Sequence, residues 1–280
     1  MIEVLHPGMY NTIQDRGRFG HAKLGVPVSG VMDAISADLA NALLRNEKTD
    51  AVVEITLGQG KFRFTAKTVF CLTGGDFSAQ LEVQALETNK IYTAEANSLL
   101  TFGKRNYGAI TYLGLKGGIQ TEAVMGSRSF AKGLTQIRLE EGDLLKTQGD
   151  QKWSVPRHSR IRMRREHFLS PVLDCYPGPE FDRISDEVKL RLLDPFTLSS
   201  DCNRVGYRLS EPVENELNPI LTSAVLPGTV QLTPSGKLIV LMRDAQVTGG
   251  YPRVLQLADY GISRLSQKMA GDEVRFVLKD

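Results

Sequence analysis

Four stretches of this sequence gather residue types that can do chemistry on a small polar molecule. The first, Thr12-Ile13-Gln14-Asp15-Arg16-Gly17-Arg18-Phe19-Gly20, packs amide, carboxylate and guanidinium groups around two glycines. Arg18 offers a planar fork for a carboxylate or a similar oxygen pair, and Asp15 can orient that fork or take a proton. An Asp–Arg bridge pinning a tight turn would read the same way. The second, Gly25-Val26-Pro27-Val28-Ser29-Gly30-Val31-Met32-Asp33, leads into a helical pattern. A Gly/Ser loop meeting a helix start aims N–H groups outward and suits an anion; alternatively it is a plain loop with Asp33 as the cap. The third runs from Gly117-Gly118-Ile119 to Met125-Gly126-Ser127-Arg128-Ser129. Its paired glycines permit close backbone approach, and Ser127, Arg128 and Ser129 add two hydroxyls and a cation. The fourth, Leu241-Met242-Arg243-Asp244-Ala245-Gln246-Val247-Thr248-Gly249-Gly250-Tyr251-Pro252, follows an apolar strand. Polar groups at a strand end with glycine access form a small-ligand mouth. There Asp244 is a candidate base, and Gln246 with the N–H groups of Gly249 and Gly250 are candidate donors to a carbonyl oxygen gaining charge. A structural aspartate in a turn is the rival.

Other chemistries find little support. No GxxxxGK[ST] spacing supports an ATP-binding P-loop, and no GxSxG elbow surrounds the serines. His6, His21, His158 and His167 form no i,i+4 pair and no HExxH, and read as surface or packing residues. Cys71, Cys175 and Cys202 are far apart and odd in number, with no metal spacing; they read as buried small apolar groups in a reducing cytoplasm. No metal site is expected. Thirty-four basic against thirty-two acidic residues give a net charge of +2, which argues against nucleic-acid binding. The amino-terminal residues lack a signal-peptide pattern, and no apolar stretch approaches the ~20 residues needed to cross a bilayer.

The elements that must position these groups are mostly short strands. Lys61–Thr65, Thr68–Leu72, Ala109–Leu115, Lys237–Met242 and Glu273–Leu278 are β-branched or aromatic-rich and bounded by turn residues. Helical spacing is confined to Met32–Arg45 (apolar at Ile35, Leu39, Ala42 and Leu43), Glu180–Leu193 and Arg253–Lys268. Many strands and few helices predict a β-rich α+β protein of barrels or sandwiches. A polar and basic segment, Thr147–Arg165, marks a boundary between lobes 1–156 and 157–280; its run Arg157–Arg165 reads as a solvated linker or edge strand, with an anion or partner contact as the alternative. Asp15-x-x-Arg18-x-Gly20 is echoed by Asp201-x-x-Arg204-x-Gly206, and Gly117-Gly118 by Gly249-Gly250, in the same order. Duplication of one lobe accounts for both echoes.

Taken together, TIQDRGRFG, GVPVSGVMDAISADLAN, LGLKGGIQTEAVMGSRS, GTVQLTPSGKLIVLMRDAQVTGGYP and MAGDEVRF resemble, in this order and over residues 3 to 278, the family of the 5-oxoprolinase C-type subunit. Relatives of that family include allophanate hydrolase subunit 2, the Kip antagonist and part of the carboxyltransferase region of urea amidolyase. The resemblance implies two cyclophilin-like β-barrel lobes and, as partners, the B-type and A-type proteins of 5-oxoprolinase. It implies opening of 5-oxo-L-proline to glutamate with ATP and Mg used by the complex. It also marks Gln14, Asp15, Arg18, Ser29, Asp33, Ser127, Arg128, Arg204, Gln231, Asp244, Gln246 and Tyr251 as matching site positions. On these positions we expect Asp244, Gln246 and Asp15 to be catalytic, Arg18 and Arg204 to bind a carboxylate or similar anion, and Gly118, Gly249 and Gly250 to be among the substrate-binding residues. Two alternatives stay open: carboxyl transfer from biotin carried on another domain, and a non-catalytic regulator that binds a kinase-inhibitor partner. The sequence departs from the family pattern at Val247, where a Thr is usual, at Lys132–Arg138, and at Ser200-Asp201-Cys202-Asn203-Arg204-Val205-Gly206.

Overall fold

The structure is a computed structural model that describes residues 1–148 and 163–279. The expected boundary at 156/157, Trp153, His158 and most of the basic run lie outside the described residues. The elements are β1 (Ile2–His6), β2 (Thr12–Gln14), α1 (Ala34–Leu43), β3 (Val52–Thr56), β4 (Lys61–Phe64), β5 (Thr68–Asp76), β6 (Gln80–Leu81), β7 (Gln84–Ala85), β8 (Ile91–Ala94), β9 (Leu99–Thr101), β10 (Tyr107–Leu115), β11 (Leu144–Leu145), α2 (Glu166–Leu169), β12 (Val172–Pro177), α3 (Asp186–Arg191), β13 (Pro195–Cys202), β14 (Gly206–Leu209), β15 (Ser223–Ala224), β16 (Thr229–Leu232), β17 (Leu238–Leu241), β18 (Thr248–Gly249), β19 (Arg253–Leu257), α4 (Asp259–Leu265) and β20 (Glu273–Leu278). The β-rich reading holds. The chain divides into unit 1, Met1–Arg18 with Ser29–Leu169, and unit 2, Phe19–Val28 with Ser170–Asp280.

Unit 1 contains a six-stranded sheet, β11-β1-β4-β9-β6-β7, and a five-stranded sheet, β2-β3-β10-β5-β8. Alternation along the strands decides what each face carries. Ile13, Val53, Ile55, Phe70, Leu72, Leu113 and Leu115 join Ile2, Val4, Phe62, Phe64 and Leu100 in one apolar core. The opposite face of the five-stranded sheet lies under α1, where Ala40, Leu43 and Leu44 pack with Cys71. Gly114 lets the helix come close: a Cβ there would stand 3.1 Å from both Ala40 Cβ and Leu44 Cδ1. Here the sequence reading needs a correction. Ser36, Ala37, Ala40, Asn41 and Leu43 are buried, whereas Ile35 and Leu39 are only half-buried and Ala42 is exposed. Close approach selects small residues over the larger apolar stripe. The same face carries a buried polar row across the strands, Thr12–Glu54–Tyr112–Thr73 in register.

Unit 2 is a closed seven-stranded barrel, β12-β19-β16-β17-β14-β13-β20, with β20 returning parallel to β12. Leu173, Phe196, Leu198, Val230, Leu232, Val240, Leu255 and Phe276 are buried. Closure leaves the barrel without a free edge. The small pair β15–β18 stands outside it. Two of the three expected helices are shorter than predicted. Glu180–Leu193 splits into a 3-10 turn, Phe181–Arg183, and α3, because Ser185 is extended and its hydroxyl caps Val188 N–H. Arg253–Leu257 is a strand rather than the start of a helix: it pairs with β12 and β16, and only the stretch from Asp259 is helical. Tertiary pairing overrides spacing there.

Candidate functional site

The candidate residues fall into two sets, one in each unit. In unit 1 the organising group is the Asp15 carboxylate. Its Oδ1 accepts from Gly17 N–H (2.8 Å), Ser127 Oγ (2.7 Å) and Ser129 Oγ (2.7 Å), and its Oδ2 from Arg128 N–H (2.6 Å). Asp15 N–H in turn donates to Ser129 Oγ at 3.0 Å. The first and third motifs are thus brought together. Asp15 does not grip Arg18: the guanidinium is buried and donates to the carbonyls of Ser129 (2.6 Å) and Val124 (3.4 Å). Nor does the Arg128 side chain extend toward a ligand, since it donates to Gln120 Oε1 (2.9 Å) and to the Thr121 carbonyl. Charged groups that looked like binders therefore fix the 120–129 loop on β2. Gly118 has a structural reason as well: its φ is +64°, and a Cβ would fall 2.7 Å from Asp50 Cβ.

Two neutral residues beside this hub behave differently. Gln14 is fully buried at the end of β2, and its Nε2 donates to Thr12 Oγ1 (3.1 Å) and the Phe130 carbonyl (3.4 Å). A carbonyl can only accept, so these bonds fix which end of the amide is nitrogen. Among the described residues Gln14 Oε1 then has no hydrogen-bond partner, and neither has the buried Ser29 Oγ. Ser29 also holds φ at +56°, a region non-glycine residues avoid. The next residue, Gly30, has φ +87° and packs so that a Cβ would meet the Arg16–Gly17 backbone at 2.9 Å. Val31 N–H closes the loop onto the Asp15 carbonyl at 2.9 Å.

A third feature of unit 1 was foreseen only in part. Asp33 is the α1 cap, as one of the two readings of its loop has it: its Oδ1 accepts from Ile35 and Ser36 N–H, both at 3.1 Å. Its Oδ2 accepts from Ser36 Oγ (2.5 Å) and meets His167 Nε2 at 2.9 Å, with both Asp33 and His167 buried. The network continues through Asp33 N–H to Tyr112 Oη (2.7 Å) and from Tyr112 to Glu54 Oε2 (2.8 Å), which also accepts Met32 N–H (2.8 Å). Burial, first, and the neighbouring Glu54 and Asp33 carboxylates push the Tyr112 phenol well above its ordinary range. It remains a donor. His167 is therefore no surface residue. No periodic signal marks it, because its partner lies 134 residues away.

In unit 2, Arg204 and Asp244 close on each other. Nε donates to Oδ2 at 2.7 Å and Nη2 to Oδ1 at 3.0 Å. Backbone contact reinforces the pair, with Asp244 N–H on the Arg204 carbonyl at 2.8 Å. An anion fork and a base, read separately from sequence, form one bidentate unit. Gln231 is buried in β16, and its Nε2 lacks a hydrogen-bond partner among the described residues. That amide occupies the space Gly249 leaves: a Cβ on Gly249 would stand 2.5 Å from Nε2. Gln246 is exposed, Tyr251 is 38% exposed, and the Gly250 carbonyl accepts Ile220 N–H at 2.9 Å. A second fork was not foreseen: Arg253 binds Glu180 through Nε–Oε2 (2.9 Å) and Nη2–Oε1 (2.8 Å). Hydrogen bonding to Arg253 is the largest influence holding the Glu180 carboxyl below its usual range.

Burial pushes the Cys71 and Cys175 thiols up, Cys175 to about 12, so neither is a thiolate nucleophile near neutral pH. Among the described residues no group of three or more His, Cys, Asp or Glu is arranged to hold a metal ion, and no helix is long and apolar enough to cross a membrane.

Comparison with known proteins places these features in context. The chain is 34% identical to the C-type subunit of 5-oxoprolinase from Escherichia coli over 290 residues, covering 99% of this chain and 91% of that protein. It is 26% identical to urea amidolyase of Saccharomyces cerevisiae over 99% of this chain, but spans only 16% of that protein. The crystal structure of TTHA0988 superposes with a TM-score of 0.89 at 28% identity over 99% of this chain, which spans about half (55%) of that longer chain. The model of the carboxyltransferase domain, subdomain A and B, matches residues 24–278. On that match and the near-full-length identity, the chain belongs to the carboxyltransferase domain family, subdomains A and B.

Proposed function

We propose that this chain is the C-type subunit of an ATP-dependent 5-oxoprolinase, opening 5-oxo-L-proline to L-glutamate together with B-type and A-type partner subunits. The observation that carries this reading is 34% identity over nearly the whole of both chains to the E. coli protein. Attack on the lactam carbonyl drives negative charge onto its exocyclic oxygen, so the site needs preorganised donors in a water-poor setting. The reading assigns reaction-side roles to Asp244, Gln246 and the Gly249–Gly250 strand, with Arg204 orienting Asp244. Unit 1, taken by itself, offers Gln14 and Ser29 as neutral ligand contacts, on segments that Asp15, Arg18, Ser127 and Arg128 hold in place. ATP and Mg serve the complex, and their chemistry is supplied with the partners.

The direct test mixes the chain with its B-type and A-type partners, ATP, Mg and 5-oxoproline and measures glutamate. Wild type should turn over, and Asp244→Ala should lose at least about tenfold in kcat, the scale of losing one acid–base group. Equal rates for the two would remove Asp244 from the mechanism. A second reading, the carboxyltransferase component of a biotin-dependent urea carboxylase, is favoured by the likeness to yeast urea amidolyase across 99% of this chain. Biotin- and bicarbonate-dependent carboxylation of urea, with no glutamate formed from 5-oxoproline, would replace the first reading by the second.

A further inference from the structure

Gln14 Oε1 and Ser29 Oγ are two buried polar atoms on neighbouring segments of unit 1, and neither has a hydrogen-bond partner among the described residues. The segments are joined by Val31 N–H on the Asp15 carbonyl and by the seating of Gly30 on Arg16–Gly17. Leaving such atoms unsatisfied opposes folding. No hydrogen bond joins the two atoms, and a ligand that presents a polar group to each would satisfy both. Its chemistry follows from theirs. Gln14 Oε1 is fixed as an acceptor because Nε2 faces the Phe130 carbonyl, so its complement is a donor, and an amide N–H is one such donor. Ser29 Oγ can donate to a carbonyl oxygen. A ring amide presents N–H and C=O on one edge.

We infer that Gln14 and Ser29 form an amide-recognition pair, with Gln14 Oε1 accepting the lactam N–H and the Ser29 hydroxyl donating to the lactam oxygen. The left-handed backbone at Ser29 supports this assignment, because strain retained at a buried serine, where glycine would be unstrained, points to a use for the side chain. Gln14 then sets specificity and Ser29 aids the developing charge. The inference rests on the 5-oxoprolinase reading.

Its test is a specificity swap in the assembled enzyme, using 5-oxoproline and its N-methyl derivative. A site that accepts an N–H rejects the derivative by about ten- to hundredfold in kcat/KM. Gln14→Leu should lose most of that discrimination, mainly by slowing 5-oxoproline. Ser29→Gly should melt no lower than wild type, because it relieves the positive φ, yet lose about tenfold or more in kcat/KM on both substrates. If wild type converts 5-oxoproline and Gln14→Leu keeps the wild-type discrimination ratio, or Ser29→Gly keeps full activity, the pair is not the recognition element. If the wild-type assembly makes no glutamate at all, the functional reading falls and takes this inference with it.

Discussion

Replacing Asp15 by alanine isolates the role of the unit 1 hub. Four donors converge on that carboxylate, at 2.6 to 2.8 Å. Two are hydroxyls that can turn to other partners. The other two are backbone N–H groups, of Gly17 and Arg128, which cannot. Each stranded amide costs about 1–2 kcal/mol at these half-buried positions, and the lost charged contacts to the serines add about 1 kcal/mol more after rearrangement. The expected loss is therefore about 3–5 kcal/mol, a large share of a typical domain's margin. Asp15→Asn keeps one acceptor but turns an N–H₂ toward a donor, so it should recover less than half. Urea denaturation followed by far-ultraviolet circular dichroism reads this as a lowered midpoint at constant slope. If Asp15→Ala unfolds within about 1 kcal/mol of wild type while the assembled enzyme loses turnover, the scaffold argument is wrong and Asp15 acts on the substrate.

Three further outcomes follow from other contacts. His167→Phe removes one side-chain contact of Asp33 Oδ2, leaving Ser36 Oγ, and should destabilise by about 1–3 kcal/mol, with His167→Gln recovering part of it, as thermal melts would show. The Glu180–Arg253 fork has a defined pH signature. Because the folded carboxyl lies below its ordinary value, the stability it adds is fully present above the unfolded pKa of about 4.3 and is lost as pH falls through the folded value. The stability gap between wild type and Glu180→Gln should thus be wide at pH 7 and close on acidification; a gap independent of pH would refute the pairing. Gly249→Ala should destabilise by about 1–3 kcal/mol through overlap with Gln231 Nε2. Gln231→Ala in the same chain should remove most of that loss, so additive effects in the double-mutant cycle would contradict the contact.

How much of this was legible beforehand depends on the range of the interaction. The strand at Glu273–Leu278 and β10 from Ala109 to its end at Leu115 were visible because alternation and turn residues act locally. The helix after Asp33 was visible for the same reason, since a cap and its N–H partners lie within three residues. Its buried face was not, because the requirement for Ala40 over Gly114 belongs to a strand far along the chain. Arg253–Leu257 was misread for a parallel reason: its fate is set by pairing with β12 and β16, not by spacing. At the candidate positions, the partners expected from sequence proximity were the wrong ones. Arg18 was matched with its near neighbour Asp15, whereas Asp15 bonds Ser127 and Ser129 more than a hundred residues away. His167 and Glu180 were passed over because each partner is remote in sequence.

One physical asymmetry ties the mispairing to the function. In a water-poor site a charge cannot stand unpaired before substrate arrives, since the cost is several kcal/mol or more, and it either pairs or neutralises. An amide or hydroxyl can stand unpaired at about 1–3 kcal/mol. The charged residues that looked like ligand hooks are accordingly engaged in their own units: Asp15 by four donors, Arg18 by two carbonyls, Arg204 by Asp244. Among the described residues, the neutral candidates Gln14, Ser29 and Gln231 each keep a buried polar atom without a hydrogen-bond partner. Within unit 1 the charged groups thus hold the shape, and Gln14 and Ser29 are left to read an amide edge.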